Sequence, residues 1–224
     1  MTGLNSANMV AGTLPARDGW RGRPAAVGRA VESVLPLVGE HAGHPGRRLP
    51  EEVVQALRRT GINRLLLPSE LGGLQAPVLD VLDILERIAT VDGSTAWCSM
   101  IGAGSNVFAG YLPEPGARRV FADPDQGNAT MLAPLGRLVE AGGGLRLSGR
   151  WPFASNCMHS AWIGVGAMLD RPDGAGPPLR IAFVELRAVT VEETWNSVGL
   201  RATGSHDVIA ADVPVADDEH CATG

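Results

Sequence analysis

The chain of 224 residues has a net charge of −5 from 19 basic and 24 acidic residues, and nothing in this balance suggests a nucleic-acid partner. All 19 of those basic residues are arginine, which excludes chemistry that needs a Schiff-base lysine or a P-loop lysine. The 45% hydrophobic content is ordinary for a globular protein, and no apolar run reaches the roughly 20 residues of a membrane span.

The N-terminal residues and the cysteines indicate the cellular compartment of the protein. Residues 1–24 are rich in Gly, Arg, Ala and Pro without periodicity, so we expect a flexible tail. They lack the charged-then-apolar pattern of a signal peptide. The three cysteines are odd in number and far apart (Cys98, Cys157 and Cys221). This usage is typical of the reducing cytoplasm and not of a disulfide framework.

Helical spacing of apolar residues dominates residues 25–124 and predicts a helical N-terminal domain. The first helix spans 25–40, and the second starts at Pro50 and stops at Gly61. A third helix is predicted from Val78 to Thr90, and Asp92 is the expected N-cap of a fourth. The predicted buried face of the third helix consists of Val81, Leu82, Leu85, Ile88 and Ala89.

After residue 124 the pattern changes to short apolar runs between turns, which predicts strands. A glycine turn at 141–144 would join two of them as a hairpin. The predicted strands are 128–133, 136–139, 145–148, 162–169, 179–184, 190–195 and 207–213. Helices followed by strands indicate an α+β protein, with an antiparallel β-barrel-like domain over 125–217 and a tail at 218–224.

Four segments carry a resemblance to a known family. They are Leu57–Gly73, Val91–Trp97, Leu147–Asn156 and Trp195–Val208. Their order and spacing resemble the acyl-CoA dehydrogenase superfamily, whose N-terminal helical and middle β-domains match the predicted fold. The last two segments are most similar to the subgroup of two-component flavin-dependent monooxygenases. Fatty-acid dehydrogenases usually carry Thr-Glu-Pro where this chain has Leu132-Ala133-Pro134.

The resemblance implies a flavin-dependent oxidoreductase that uses FAD or FMN. Two reactions remain open: dehydrogenation of an acyl-CoA, or oxygenation of an aromatic or polyketide substrate with reduced flavin from a reductase. The resemblance also implies a homo-oligomer or a partner helical chain. The alternative is a non-catalytic flavin- or protein-binding remnant that pairs with a separate helical subunit.

A flavin ring needs an apolar platform and a few hydrogen bonds at its polar edge. Strand alternation predicts that Trp151, Phe153 and Ser155 share one face, where the aromatic rings would pack near the flavin and the hydroxyl would bond its edge. The resemblance implies that the backbone of Leu132 and Ala133 faces the same ring. The residue pattern alone favours Trp151 and Phe153 as core residues of the β-domain, whereas the resemblance favours the flavin site.

The resemblance implies that Arg201 and Ser205 lie near the substrate or the flavin edge. Related sequences usually have a small residue, most often glycine, after the serine, whereas this chain has Asn156 and Cys157. These side chains would either crowd the flavin or turn away. His159 is interpreted as a loop or packing residue. No metal site is predicted.

The chain ends ten residues after Pro214, at the point where the superfamily normally continues into a C-terminal helical domain. That domain supplies the catalytic carboxylate or histidine in the family, so no catalytic residue is named for this chain. A truncated or split enzyme is therefore one expectation. An exposed apolar surface is expected wherever such a domain would pack.

Overall fold

The computed structural model describes residues 23–141, 144–170 and 178–222. Its helices are α1 (Arg23–Glu40), α2 (Glu51–Arg59), α3 (Val78–Ala89), α4 (Gly93–Ser105) and α5 (Glu114–Val120). Its strands are β1 (Ala129–Ala141), β2 (Gly144–Ala154), β3 (Trp162–Asp170), β4 (Leu179–Glu185), β5 (Thr190–Glu192), β6 (His206–Val215) and β7 (His220–Ala222). The predicted α+β class, with helices before strands, is confirmed. The tail predicted at 1–24 lies almost wholly outside the described residues.

Local signals in the sequence fix the helix ends. Gly61 follows α2 with a φ of +78°, a left-handed conformation that stops the helix and that glycine adopts without a steric penalty. The Asp92 carboxylate accepts a hydrogen bond from the Thr95 amide at 2.7 Å and caps α4 as predicted. Within the described parts of the chain, no helix is long and apolar enough to cross a bilayer.

The face that α3 buries differs from the prediction. Its buried residues are Val81, Ile84, Leu85 and Ile88, which follow the i, i+3, i+4, i+7 spacing of a helical stripe. Leu82 and Ala89 were expected on this face, but both are exposed, and Leu82 is 54% exposed. Val78 and Leu79 are also exposed, so α3 presents a second apolar surface toward solvent.

The strands form one seven-stranded sheet in the order β5-β6-β2-β1-β3-β4-β7. All neighbouring pairs are antiparallel except β1 and β3, which run parallel, so the antiparallel prediction is wrong at this pair. The physical reason is the hairpin: β2 returns along one edge of β1, and residues 155–161 then carry the chain across to the other edge. The predicted hairpin is confirmed, with Arg137 opposite Ser148, although its turn residues 142–143 are outside the described chain.

Two details of the sheet were not predicted. β1 is one strand that contains both of the short strands expected at 128–139, and it carries a bulge in which four residues face Gly166 of β3. We call Leu132, Ala133, Pro134 and Leu135 the β1 bulge. His220–Ala222 pairs with β4 as an edge strand, although these residues were assigned to a tail.

A chain of buried asparagine side chains joins the helices to the sheet. The Asn63 amide donates to the Asp125 carbonyl at 2.8 Å, and the Asn106 amide donates to the Asn63 carbonyl at 2.9 Å. The Asn128 side chain reaches Asn106 Oδ1 at 3.4 Å and accepts from the Trp162 amide at 3.1 Å. This asparagine network fixes the ends of β1 and β3 relative to α4.

Candidate functional site

Trp151 lies in the core of the sheet and has no exposed surface. Its Nε1 donates to the Gly166 carbonyl at 2.9 Å. The indole fills a slot lined by glycines: a methyl group on Gly136 would lie 2.2 Å from the ring, and one on Gly149 would lie 2.7 Å from it. Trp151 is therefore a core residue, which was the alternative interpretation. Its ring has no exposed surface with which to contact a flavin directly.

The predicted alternation of Trp151, Phe153 and Ser155 on one face is wrong because the backbone turns at Phe153. Phe153 has a φ of +61°, which is unusual for a bulky residue, and 68% of its surface is exposed. The Ser155 amide donates to the Phe153 carbonyl at 2.8 Å and closes a tight turn at the end of β2. Strained residues of this kind often lie at ligand sites, since packing must hold them in place.

Ser155 begins a chain of buried hydroxyl groups. Its Oγ accepts a hydrogen bond from Trp97 Nε1 at 2.9 Å and lies 2.7 Å from Ser205 Oγ. Ser205 Oγ lies 2.7 Å from Thr203 Oγ1, which lies 2.8 Å from the Leu200 carbonyl. We call Ser155, Ser205 and Thr203 the hydroxyl chain. Ser155 is the outermost of the three, with 9% of its surface exposed.

Exposed apolar side chains flank both ends of the hydroxyl chain, since Trp97 bonds Ser155 and Leu200 bonds Thr203. Trp97 and Leu200 are 42% and 44% exposed, and the Phe153 ring meets the Trp195 ring edge to face, with 6.2 Å between centroids. Trp195 Nε1 donates to the Leu200 carbonyl at 3.1 Å, which fixes this rim. Trp97 and Trp195 lie in the segments that carry the family resemblance, but neither was predicted as a site residue.

The β1 bulge lies on the strand next to β2, and all four of its residues are exposed. Its backbone rests directly on Gly166, because a methyl group there would lie 2.4 Å from the Leu132 carbonyl oxygen and 2.6 Å from that of Ala133. Trp151 holds the other side of Gly166 through its hydrogen bond. Leu132 and Ala133 are therefore exposed residues whose backbone packs on Gly166, and the Gly166 carbonyl is in turn held by Trp151.

The structure gives Arg201 and Ser205 different surroundings. Arg201 donates from Nε to the Pro45 carbonyl at 2.8 Å and from Nη1 to Asn196 Oδ1 at 2.9 Å. Its guanidinium thereby ties the loop between α1 and α2 to the turn before β6. Ser205 is buried within the hydroxyl chain, with 5% of its surface exposed.

Asn156 and Cys157 turn inward, away from the exposed rim. Asn156 has a φ of +65°, a conformation that favours glycine but that asparagine also tolerates, and its amide lies against Gly102 of α4. Cys157 is fully buried, with its Sγ 3.6 Å from the Gly204 carbonyl. Burial raises the pKa of the Cys157 thiol to about 12, so the thiolate is not available as a nucleophile at neutral pH.

His159 lies on the inner side of the same turn. Its Nε2 is buried and has no hydrogen-bond partner among the described residues. It borders a cavity of about 30 Å³ between α2, α4 and the end of β2. Burial lowers the pKa of His159 to about 4, which keeps the imidazole neutral at pH 7.

Residues 24–118 match the family model of the acyl-CoA dehydrogenase N-terminal domain. The indole-3-acetate monooxygenase of Pseudomonas putida is 32% identical over 197 residues, which cover 86% of this chain and 50% of that protein. The flavin-dependent monooxygenase oxygenase subunit HsaA of Mycobacterium tuberculosis is 32% identical over 187 residues, covering 82% of this chain and 47% of the relative. The chain thus spans about half the length of the curated relatives it matches.

The fold is also similar to solved structures. XiaF from Streptomyces sp., in complex with FADH2 and glycerol, matches with a TM-score of 0.84 and 30% identity over 92% of this chain and 53% of XiaF. The match includes both the helices and the sheet, since 92% of the chain cannot be covered by either part alone. On these grounds the chain belongs to the acyl-CoA dehydrogenase superfamily.

Proposed function

We propose that the chain forms the flavin-binding part of a flavin-dependent oxidoreductase, in the manner of the oxygenase components of two-component monooxygenases. The family membership and the names of its relatives support this proposal. FAD is the expected flavin, since XiaF was solved with FADH2, and FMN is the alternative. The expected substrate is a small aromatic or polyketide molecule, and the expected partner is a flavin reductase.

One observation carries the proposal: the exposed, strained Phe153 stands two residues before Ser155, which retains 9% of its surface exposed. A flavin requires a flat apolar surface and a hydrogen-bonding group at its edge, and Phe153 and Trp97 with Ser155 offer this combination. Leu132 and Ala133 are exposed residues on the adjacent strand. When bound, the flavin supplies the electron transfer, whereas these residues bind and orient it.

The β1 bulge favours oxygenation over acyl-CoA dehydrogenation. Its exposed side chains are apolar, so this stretch contributes only backbone polar groups at the position where fatty-acid dehydrogenases carry a hydroxyl and a carboxylate. Reduced flavin and oxygenation of an apolar, aromatic substrate fit such a surface better than a charged acyl-CoA. The described residues contain no assigned catalytic acid or base.

Flavin titration of the full chain tests the proposal, with wild type compared with Phe153→Ala and Ser155→Ala. Loss of one hydrogen bond from Ser155 should weaken flavin binding roughly three- to tenfold. Loss of the Phe153 ring should weaken it by a similar or larger factor. Tyr111 is a second exposed aromatic residue, 64% exposed and outside the rim, so Tyr111→Ala is the matched control and should bind like wild type. Unchanged affinity in both site variants would remove the site assignment.

A second candidate function is favoured by the exposed apolar surface of α3. Val78, Leu79 and Leu82 are 64%, 78% and 54% exposed, and such a surface is typical of a protein contact. The chain would then associate with itself or with a separate helical chain. Sedimentation of wild type and of the double variant Leu79→Ser, Leu82→Ser tests this candidate: a wild-type assembly that the variant loses supports it, and a wild-type monomer that recruits no partner argues against it.

A further inference from the structure

The hydroxyl chain can carry its protons in two directions, and this property extends the proposed flavin site, on which the inference rests. We propose that the hydroxyl chain reverses its direction of donation when the bound flavin changes between its oxidised and reduced forms. Thr203 and Ser205 are then positioning residues that act on the flavin through Ser155. Neither was assigned this role by the sequence pattern.

The two ends of the hydroxyl chain set the conditions. Trp97 Nε1 is only a donor, so it always occupies one lone pair of Ser155 Oγ. At the other end, the Leu200 carbonyl can accept from Thr203 Oγ1 at 2.8 Å, and it also accepts from Trp195 Nε1 at 3.1 Å. The carbonyl therefore keeps a donor even when the Thr203 hydroxyl turns away.

In the outward arrangement each hydroxyl donates toward the surface. Thr203 donates to Ser205, Ser205 donates to Ser155, and the Ser155 proton points to the ligand. Both lone pairs of Ser155 Oγ are then occupied, one by Ser205 and one by Trp97. Ser155 can only donate to the ligand in this arrangement.

In the inward arrangement the direction is reversed. Ser155 donates to Ser205, Ser205 donates to Thr203, and Thr203 donates to the Leu200 carbonyl. One lone pair of Ser155 Oγ remains open toward the surface. Ser155 can only accept from the ligand in this arrangement, and no buried hydroxyl proton is left without an acceptor.

These two arrangements match the chemistry of a flavin edge. A ring nitrogen that is a hydrogen-bond acceptor in oxidised isoalloxazine carries a proton and becomes a donor after two-electron reduction. The outward arrangement suits the first form and the inward arrangement suits the second. The chain of hydroxyls therefore allows one site to hold both forms with every buried donor satisfied.

Thr203→Val separates this role from simple structural support. Without the Thr203 hydroxyl, the outward arrangement still satisfies every donor. The inward arrangement instead leaves the proton of Ser205 without an acceptor, and Ser205 is buried, with only 5% of its surface exposed. An unsatisfied buried donor is costly. Binding of reduced flavin should therefore weaken roughly tenfold more than binding of oxidised flavin.

The test measures dissociation constants of the full chain for oxidised FAD and, without oxygen, for reduced FAD, together with the midpoint potential of bound FAD. Each tenfold selective loss of the reduced form should lower that potential by about 30 mV. Thr203→Ser restores a hydroxyl and should restore the wild-type ratio. Trp97→Phe frees a lone pair of Ser155 Oγ and leaves no buried hydroxyl proton unpaired, so it should not selectively weaken binding of the reduced form.

Ser205→Ala provides a second variant with the same expected sign, because Ser155 then has no inward acceptor. The inference would be overturned if Thr203→Val and Ser205→Ala both kept the wild-type ratio of affinities for oxidised and reduced FAD. The flavin site itself would still stand. Failure of the wild-type chain to bind either form of FAD would overturn the proposed function and the inference together.

Discussion

Replacing Trp151 by alanine should destabilise the protein strongly, whereas replacing Phe153 by alanine should not. Trp151 is fully buried, and its indole fills the slot between Gly136 and Gly149. Truncation of a buried tryptophan costs about 3–5 kcal/mol. The same change leaves the Gly166 carbonyl without its 2.9 Å hydrogen bond from the indole. A loss of this size is a large part of the roughly 5–15 kcal/mol that stabilises a typical domain.

Thermal unfolding followed by circular dichroism measures this difference. For a chain of this size about 1 kcal/mol shifts the melting temperature by roughly 2–4 °C, so Trp151→Ala should melt about 6–20 °C below wild type. Trp151→Phe, which keeps one ring, should fall between the two. Phe153 is 68% exposed, so Phe153→Ala should stay within about 0.5 kcal/mol of wild type.

Flavin titration at a temperature where all variants are folded completes the comparison. Phe153→Ala should lose affinity at nearly unchanged stability, and Trp151→Phe should lose stability with a smaller effect on affinity. Equal destabilisation by Trp151→Ala and Phe153→Ala would refute the placement of one ring inside the sheet and the other outside it.

Three further results are expected. Gly166→Ala should lower the melting temperature and weaken flavin binding, because its methyl group would meet the Leu132 carbonyl at 2.4 Å. Gly110→Ala, with open space around it, is the control. Equal behaviour of the two variants would contradict the packing of the β1 bulge. Burial lowers the pKa of His159 to about 4, so its contribution to stability is full above pH 6.5 and is lost as the pH falls toward 4, by roughly 3 kcal/mol. His159→Leu should flatten the denaturant-unfolding profile between these pH values, and an unchanged profile would exclude a buried neutral His159. Burial raises the pKa of the thiols of Cys98, Cys157 and Cys221, so iodoacetamide should label these cysteines only after unfolding. Rapid labelling of the native chain would contradict their burial.

The helices were predictable because their signals are local. The stop at Gly61 and the cap at Asp92 depend on neighbours within four residues, and the structure has both. The buried face of α3 was less predictable, since Ile84 and Leu82 are equally apolar and only the packing of α1 and α4 decides between them. The parallel pairing of β1 with β3 depends on a crossover that no local pattern encodes.

The candidate site was less predictable from the sequence than the helices. Spacing by two residues implied one face for Trp151, Phe153 and Ser155, but alternation holds only for extended backbone, and Phe153 is left-handed. Gly149 is close to Trp151 in the sequence, but Gly136 belongs to β1, so the slot that they form needs two adjacent strands. The pairing of Ser155 with Trp97 and Ser205 spans 58 and 50 residues and was likewise invisible locally.

The asparagine network has a consequence for how the protein unfolds. Asn63 and Asn106 belong to the helical part, whereas Asn128 belongs to the sheet. Asn106 and Asn128 are each only 1% exposed. If the two parts separated, each would expose amide groups matched to the other and would lose the packing that shields them. The helices and the sheet should therefore melt in a single cooperative transition, and a cut near residue 124 should yield two pieces that fold only when they meet again.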